Sequence, residues 1–183
     1  MSRIPALDPA AVQGKAGDLL GAVQKSLGLT PNLFRVLANA PAALEGVLGL
    51  NGALSGGRLP ARSREAIAIT VAEMNGCDYC LSAHTAIGKN LGLGEAQVSA
   101  ARQGLSEDPK LQAALVFART VVLSKGRVSD AEVNRVRAAG LDDGAIVEIV
   151  AHVAMNILTN YLNNVAETEI DFPVVRAGTV HAA

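Results

Sequence analysis

Apolar residues recur at three- and four-residue intervals along most of the chain, and no strand-length run alternates convincingly. This spacing predicts a succession of helices. "DPAAVQGKAGDLLGAVQKSLG" opens with Asp8 as a cap and Pro9 at the first helical position, and it ends at Gly28. "TPNLFRVLANAP" and "APAALEGVLGLNGAL" read as shorter helices separated by Pro41, and "SGGR", Ser55 to Arg58, as a loop. "LPARSREAIAITVAEMNG" is apolar at 66, 67, 69 and 71 and stops at Gly76. "CDYCLSAHTAIGKNLGLG" follows without a gap. Further helices are predicted over "GEAQVSAARQG", "DPKLQAALVFARTVVLSKG" and "SDAEVNRVRAAG", the last opened by a Ser129 and Glu132 capping box. "DDGAIVEIVAHVAMNILTNYLNNVAET" is the longest, and residues 171–183 read as a tail of low regularity. There is no fixed-period repeat and no long linker, so a single domain over 1–183 is expected.

Composition narrows the class. Half of the 183 residues are apolar and 18% are charged, which excludes a disordered chain. Aromatic residues make up only 3%, and abundant Ala, Val and Leu favour close-packed helices over a sheet core. A net charge of −1 gives no footprint for nucleic acid or anionic lipid. No apolar run follows Arg3, so no secretory signal is read there. The apolar stretch near the C-terminus is broken by Glu148, His152 and Asn156, which argues against a membrane span. The expected location is the cytoplasm. An apolar fraction this high also predicts exposed patches and homo-oligomeric assembly.

Both cysteines and one of the three histidines fall in "CDYCLSAH". On a helix, Cys77 and Cys80 are three apart, and Cys80 and His84 four apart, so neighbours in the series share a face. In a reducing compartment such a pair points to catalytic or metal-binding thiols. A helix N-terminus favours a thiolate in its first turn, and an adjacent imidazole can take the proton or stabilise the anion. A second thiol one turn away can condense with a sulfenic acid to close a disulfide. The histidine contact favours Cys80 as the attacking thiol, and the helix dipole favours Cys77. The charge of Asp78 opposes thiolate formation while suiting a helix start. A zinc clasp needs a fourth ligand, for which His152 or Glu73 is the candidate.

A histidine base is usually oriented by a third group. If Asn75 and Gly76 make a tight turn, the two flanking helices are antiparallel. Glu65 then lies roughly 15 Å before the turn and His84 roughly 12 Å after it, at ~1.5 Å per residue. They sit at nearly the same level, whereas Glu73, beside the turn, would meet Cys77 or Asp78.

Glu65, eleven intervening residues and then Cys77-x-x-Cys80-x-x-x-His84 resembles the signature of the alkylhydroperoxidase D-like branch of the carboxymuconolactone decarboxylase superfamily. "TPNLFRVLANAPAAL" and the Asn-rich last helix resemble its peroxidase-related members, and the likeness spans roughly residues 28–172. It implies an all-α fold assembled as a homotrimer or homohexamer, and a thiol peroxidase acting on organic hydroperoxides. By position, Glu65 and His84 would be the proton relay, Cys80 the peroxidatic thiol and Cys77 the resolving one. No bound cofactor or metal is implied. The electrons would come from an external dithiol, in this family sometimes a lipoyl group on a partner protein. The best-known peroxidases of the family carry a relay His before the second Cys, where this chain has Tyr79. A phenol of pKa ~10 is a poor acceptor at neutral pH, though it can donate a hydrogen bond. Lactone decarboxylation on the same fold and a zinc-stabilised non-enzymatic module are the rival expectations.

His152, Asn156 and Asn160 recur every fourth residue on the last helix, with Glu148, Asn163 and Asn164 close to the same stripe. A stripe so poor in charge is expected to line a subunit interface or the wall of the thiol site. His152 by itself reads as a structural histidine, and His181, in the tail, carries no signal.

Overall fold

The computed structural model describes residues 2–179. His181 lies outside them. Among the described residues the regular structure is entirely helical: α1 Gly14–Leu27, α2 Asn32–Leu37, α3 Pro41–Ser55, α4 Ala61–Met74, α5 Asp78–Asn90, α6 Glu95–Arg102, α7 Pro109–Ser124, α8 Asp130–Ala138 and α9 Asp143–Ala166.

α4 is the central rod. Every residue from Ala66 to Ala72 on it is buried, which requires neighbours on all sides. α5, α6, α7 and α9 supply them. Thr70, the polar member of that run, bonds back to the Ala66 carbonyl at 2.9 Å and across to the Ala101 carbonyl at 2.6 Å, so no donor is stranded. Ile67, Ile69, Leu81, Leu115 and Ile149 fill the main core. A smaller cluster around Leu20, Leu37 and Leu44 ties α1, α2 and α3 together.

The predicted capping box on α8 forms between Ser129 and Glu132, and α7 and α9 are capped as well: Asp108 accepts from Lys110 N and Leu111 N, and Asp142 accepts from Ala145 N. The N-terminus differs from expectation. Asp8 does cap a turn, accepting the Ala10 N–H at 3.0 Å, but that turn ends by Val12. Gly14, at φ +64, redirects the chain, and α1 begins there.

Helix α9 also differs. It is long and apolar enough, by length and composition, to cross a membrane, despite its polar interruptions. In this fold it packs against α3, α4, α5 and α7, and the interruptions His152, Asn156, Asn160 and Asn163 are buried against its neighbours. Its other side carries an exposed apolar seam at Val147, Leu158, Tyr161 and Val165. The tail has no regular structure up to residue 179, yet it is tightly held. Ala177 N and Arg176 bond to Asp78, Val175 N bonds to Ser82, and Gly178 N bonds to Glu73.

Candidate active site

The site is built by the way α4 ends. Gly76, at φ +61, takes the left-handed conformation that stops the helix, and Cys77 N returns to the Ala72 carbonyl at 3.0 Å. That six-to-one bond is the Schellman closure. It leaves Cys77 extended and positions it as the N-cap of α5. A cysteine in place of Ser or Asp makes a sulfur the capping acceptor: Cys77 Sγ receives the Cys80 N–H at 3.3 Å. α5 then runs back antiparallel along α4.

The predicted level match holds, and His84 Nδ1 lies 2.8 Å from Glu65 Oε2. The two side chains are only 23% and 17% exposed, so the pair is shielded and Glu65 is not a solvated first-turn carboxylate. Burial by itself would lower the His84 pKa. The charge and hydrogen bond of Glu65, together with Cys80, outweigh it and raise the value above the usual histidine range.

The thiols are both buried and differ in setting. Cys80 opens onto a cavity of about 300 Å³ whose wall also includes Glu65, Tyr79, His84, His152 and Asn156; Cys77 is behind that wall. Asn163 Nδ2 donates to Cys80 Sγ at 3.2 Å. The Cys77 thiol donates to Cys80, and with the His84 charge and the Asn163 and Asn160 amides it outweighs burial, bringing Cys80 down to about 6. Cys77 is pushed far up by the same hydrogen bond, then by burial and by the charge on Cys80. The two contrary expectations about the attacking thiol thus separate. The Cys80 N–H at the cap by itself favours a Cys77 thiolate, but the hydrogen bond between the thiols and burial outweigh it, so the balance leaves the proton on Cys77 and favours ionisation of Cys80.

Several expectations about neighbours are corrected. Glu73 does not meet Cys77 or Asp78; it pairs with Arg102 at 2.7 Å and accepts the Gly178 N–H. The intervening reason is α6, which brings Arg102 alongside α4. Asp78 is engaged by Arg176 at 2.7 Å and Ala177 N at 2.8 Å, so the tail takes up its charge beside the thiols. Among the described residues no three His, Cys, Asp or Glu side chains are gathered to hold a metal ion.

Tyr79 acts as a tether. Its hydroxyl accepts the Leu33 N–H at 3.0 Å, and its ring meets Phe172 edge to face at 5.8 Å. Burial, followed by the nearby Asp171 carboxylate, pushes the phenol well above its usual range, so it is no proton acceptor. The α9 stripe forms the wall of the site, one of the two expected placements. Asn156 Nδ2 bonds back to the His152 carbonyl at 2.8 Å, and Asn160 Oδ1 is held by Asn75 Nδ2 at 2.9 Å. Glu148 leaves the stripe and accepts the N–H groups of Arg58 and Leu59. Gly57 allows that approach, since a Cβ there would lie 2.6 Å from the carboxylate. Asn164 is exposed and bonds the Asn75 carbonyl.

Sequence reasoning missed the contact of Asn163 with Cys80 and the presence of Arg64 on the cavity wall. Asn163 was signalled by its place on the Asn stripe, three residues after Asn160. Arg64 had no distinguishing pattern. A separate cavity of about 350 Å³ near Arg58, Lys110 and Asp142 is remote from the thiols.

Comparison with known proteins extends the picture. Residues 41–122 match the model of the carboxymuconolactone decarboxylase family. No curated protein matches significantly. Among solved structures, the alkylhydroperoxidase AhpD core of a peroxidase-related protein from Ralstonia eutropha JMP134 is 28% identical, with 93% of this chain and 92% of that chain covered at a TM-score of 0.82. A peroxidase-related protein from Silicibacter sp. TM1040 is 22% identical over 91% of this chain and 88% of that one, with a TM-score of 0.80. The debrominase Bmp8 is 21% identical over 92% and 91%, with a TM-score of 0.77, and so shares the fold.

Proposed function

The chain belongs to the alkylhydroperoxidase D-like and carboxymuconolactone decarboxylase superfamily, and from that premise we propose that it is a peroxidase-related thiol enzyme that reduces organic hydroperoxides through Cys77 and Cys80. The observation that carries this reading is the state of Cys80. It is the thiol on the cavity wall, held near pKa 6 within reach of the electrostatic influence of His84.

In the proposed cycle the Cys80 thiolate attacks one oxygen of the O–O bond. The bond breaks, Cys80 becomes a sulfenic acid, and the alkoxide takes a proton from His84, whose charge Glu65 stabilises. The product is an alcohol. The Cys77 thiol then attacks the Cys80 sulfur and closes a disulfide, and water leaves. An external dithiol, such as a lipoyl group on a partner protein, reduces the disulfide by exchange and becomes a disulfide itself. No bound cofactor takes part. Asn163 and the Cys77 thiol hold the attacking sulfur, and Tyr79 holds the 33 end of the cavity wall in place. His152 and Asn156 line the cavity from α9. We place the cycle in the cytoplasm, where dithiol reductants are maintained, and in a homotrimer or homohexamer built through the apolar seam of α9.

The test is a thiol titration of the reduced protein before and after one equivalent of cumene hydroperoxide, with non-reducing electrophoresis. Loss of both thiols within one chain, reversed by dihydrolipoamide, is expected. Two surviving thiols would overturn the reading. Because the fold also carries a debrominase, 2,3,4-tribromopyrrole is the comparison substrate. Faster thiol loss with it than with the peroxide would redirect the assignment to reductive dehalogenation.

A further inference from the structure

The cavity has a second polar pole that the peroxide chemistry does not use. Its walls between the poles are apolar, with Phe34, Val47, Ala68, Ile87 and Met155 among them. At one pole stand Cys80, His84 and Glu65. Arg64 and His152 line the same cavity, and His152 lies within electrostatic reach of Arg64 as well as of Glu148, Glu65 and His84. His152 is 4% exposed, and its Nε2 is buried with no hydrogen-bond partner among the described residues. In the tautomer that carries its proton on Nε2 this is a buried N–H with nothing to receive it, an arrangement that is costly to leave open.

Arg64 is the nearest uncompensated charge. It is half-buried, and it spends one Nη1 donor on the Leu59 carbonyl at 2.8 Å. Its Nε and Nη2 donors have no partner among the described residues, and no carboxylate pairs with it. The acidic groups near the pole are already committed. Glu65 is matched by His84, and Glu148 accepts the N–H groups of Arg58 and Leu59. A guanidinium edge of two parallel N–H donors matches a carboxylate side-on, and a single imidazole N–H adds a third donor. One cation and one neutral donor suit a monoanion.

The levels along the hairpin separate Arg64 from the Cys80 sulfur. His84 lies one turn from Cys80, about 6 Å along α5. Arg64 sits beside Glu65, the residue level with His84, and it reaches onward to Leu59, away from the thiol. A molecule that reaches both Arg64 and Cys80 therefore carries its anion about a turn or more along the hairpin from the atom that meets the sulfur.

Resting on the peroxidase reading above, we propose that Arg64 and His152 form a carboxylate-binding pole, and that the substrates are hydroperoxides carrying a carboxylate across a short apolar frame.

The probes are 4-isopropylbenzoate and its methyl ester, neither of which reacts with thiols. Binding to the reduced, full-length protein is read by calorimetry and by protection of Cys80 from iodoacetamide. The acid is expected to bind about tenfold tighter than the ester, the size of a charge-assisted pair shielded from water. In Arg64→Gln this preference is expected to fall to near unity, and in Arg64→Lys, which keeps the charge, to survive in part. His152→Phe is expected to reduce it and to shift no other titration. Equal or weaker binding of the acid by the unaltered protein would overturn the proposal, as would a preference that survives Arg64→Gln; the pole would then hold water only. The unaltered protein decides the matter even if a variant fails to fold. Since the probes undergo no chemistry, a failure of peroxide to oxidise the thiols is a separate outcome that strikes the reaction and leaves the pole standing.

Discussion

Asn163 and Cys80 are 83 residues apart in the chain, and an amide N–H of one donates to the sulfur of the other at 3.2 Å. The bond joins α9 to α5 at the point where the thiolate forms. It helps to hold Cys80 near 6, after the Cys77 hydrogen bond and the His84 charge. Asn163→Ala removes the donor and leaves a buried anion less well solvated. The alkylation pKa of Cys80 is expected to rise, so that the variant loses several-fold in rate at pH 6 and recovers much of it at pH 8. Iodoacetamide kinetics across that range check this, and an unchanged profile would show that the amide only packs.

The pH profile of peroxide consumption has two limbs whose signs follow from the shifts. Cys80, lowered to about 6, is a thiolate above that pH and a thiol below it. The rate should therefore fall roughly tenfold per unit once the pH is well below 6. His84, raised, is protonated up to a pH above the ordinary histidine value and then loses the proton it would donate. The rate falls again there. Glu65→Gln removes the partner that raises His84, so the alkaline limb is expected to move to lower pH. Stopped-flow measurements on both proteins decide it; coincident alkaline limbs would rule out Glu65 as the orienting group.

The division of labour between the thiols predicts different fates for the two serine variants. Cys80→Ser is expected to be inert to peroxide. Cys77→Ser keeps the attacking sulfur and loses the one that resolves it, so it should accumulate a sulfenic acid that dimedone traps and mass spectrometry reads at residue 80. Because Ser also caps a helix, α5 should survive in that variant. Dimedone found on residue 77 in Cys80→Ser would reverse the assignment.

Tyr79→Phe tests the tether. The ring and its contact with Phe172 remain, and the Leu33 N–H loses its acceptor. A loss of about 1 kcal/mol in unfolding free energy is expected, the low end for a stranded donor because the Leu33 N–H is only partly buried. The pH profile of the peroxide reaction should stay in place, because the phenol carries no titration near neutrality. A displaced profile would return Tyr79 to the proton relay.

The exposed seam on α9 predicts assembly. Val147, Leu158, Tyr161 and Val165 are all more than half exposed in the single chain. Light scattering behind size exclusion is expected to find a homotrimer or homohexamer, and Leu158→Glu to shift it toward smaller species. A monomer at micromolar concentration in the unaltered protein would remove the expectation.

Much of this protein is legible in its residues one after another. The helix caps at Asp108, Ser129 and Asp142, the stops at Gly28 and Gly76, and the Cys77 to His84 spacing are local features, set by bonds within a turn or two. The pairing of Glu65 with His84 was also within reach, because a tight turn and a fixed rise per residue carry the level of one helix onto the next. Distance in sequence is where legibility ends. Whether the α9 stripe faced solvent, a partner or the thiols depended on which side α4 and α5 occupy. The identities of the groups that engage Glu73 and Asp78 depended on α6 and on a tail without periodicity. The thiolate itself belongs to this second class. A spacing of three residues can bring two sulfurs together, but which one ionises is a small difference between burial and hydrogen bonding. That difference was decided by the hydrogen bond from the Cys77 thiol, by the charge of His84 and by the amide of Asn163, and the last two depend on Glu65 and α9, which meet α5 only once the helices have packed.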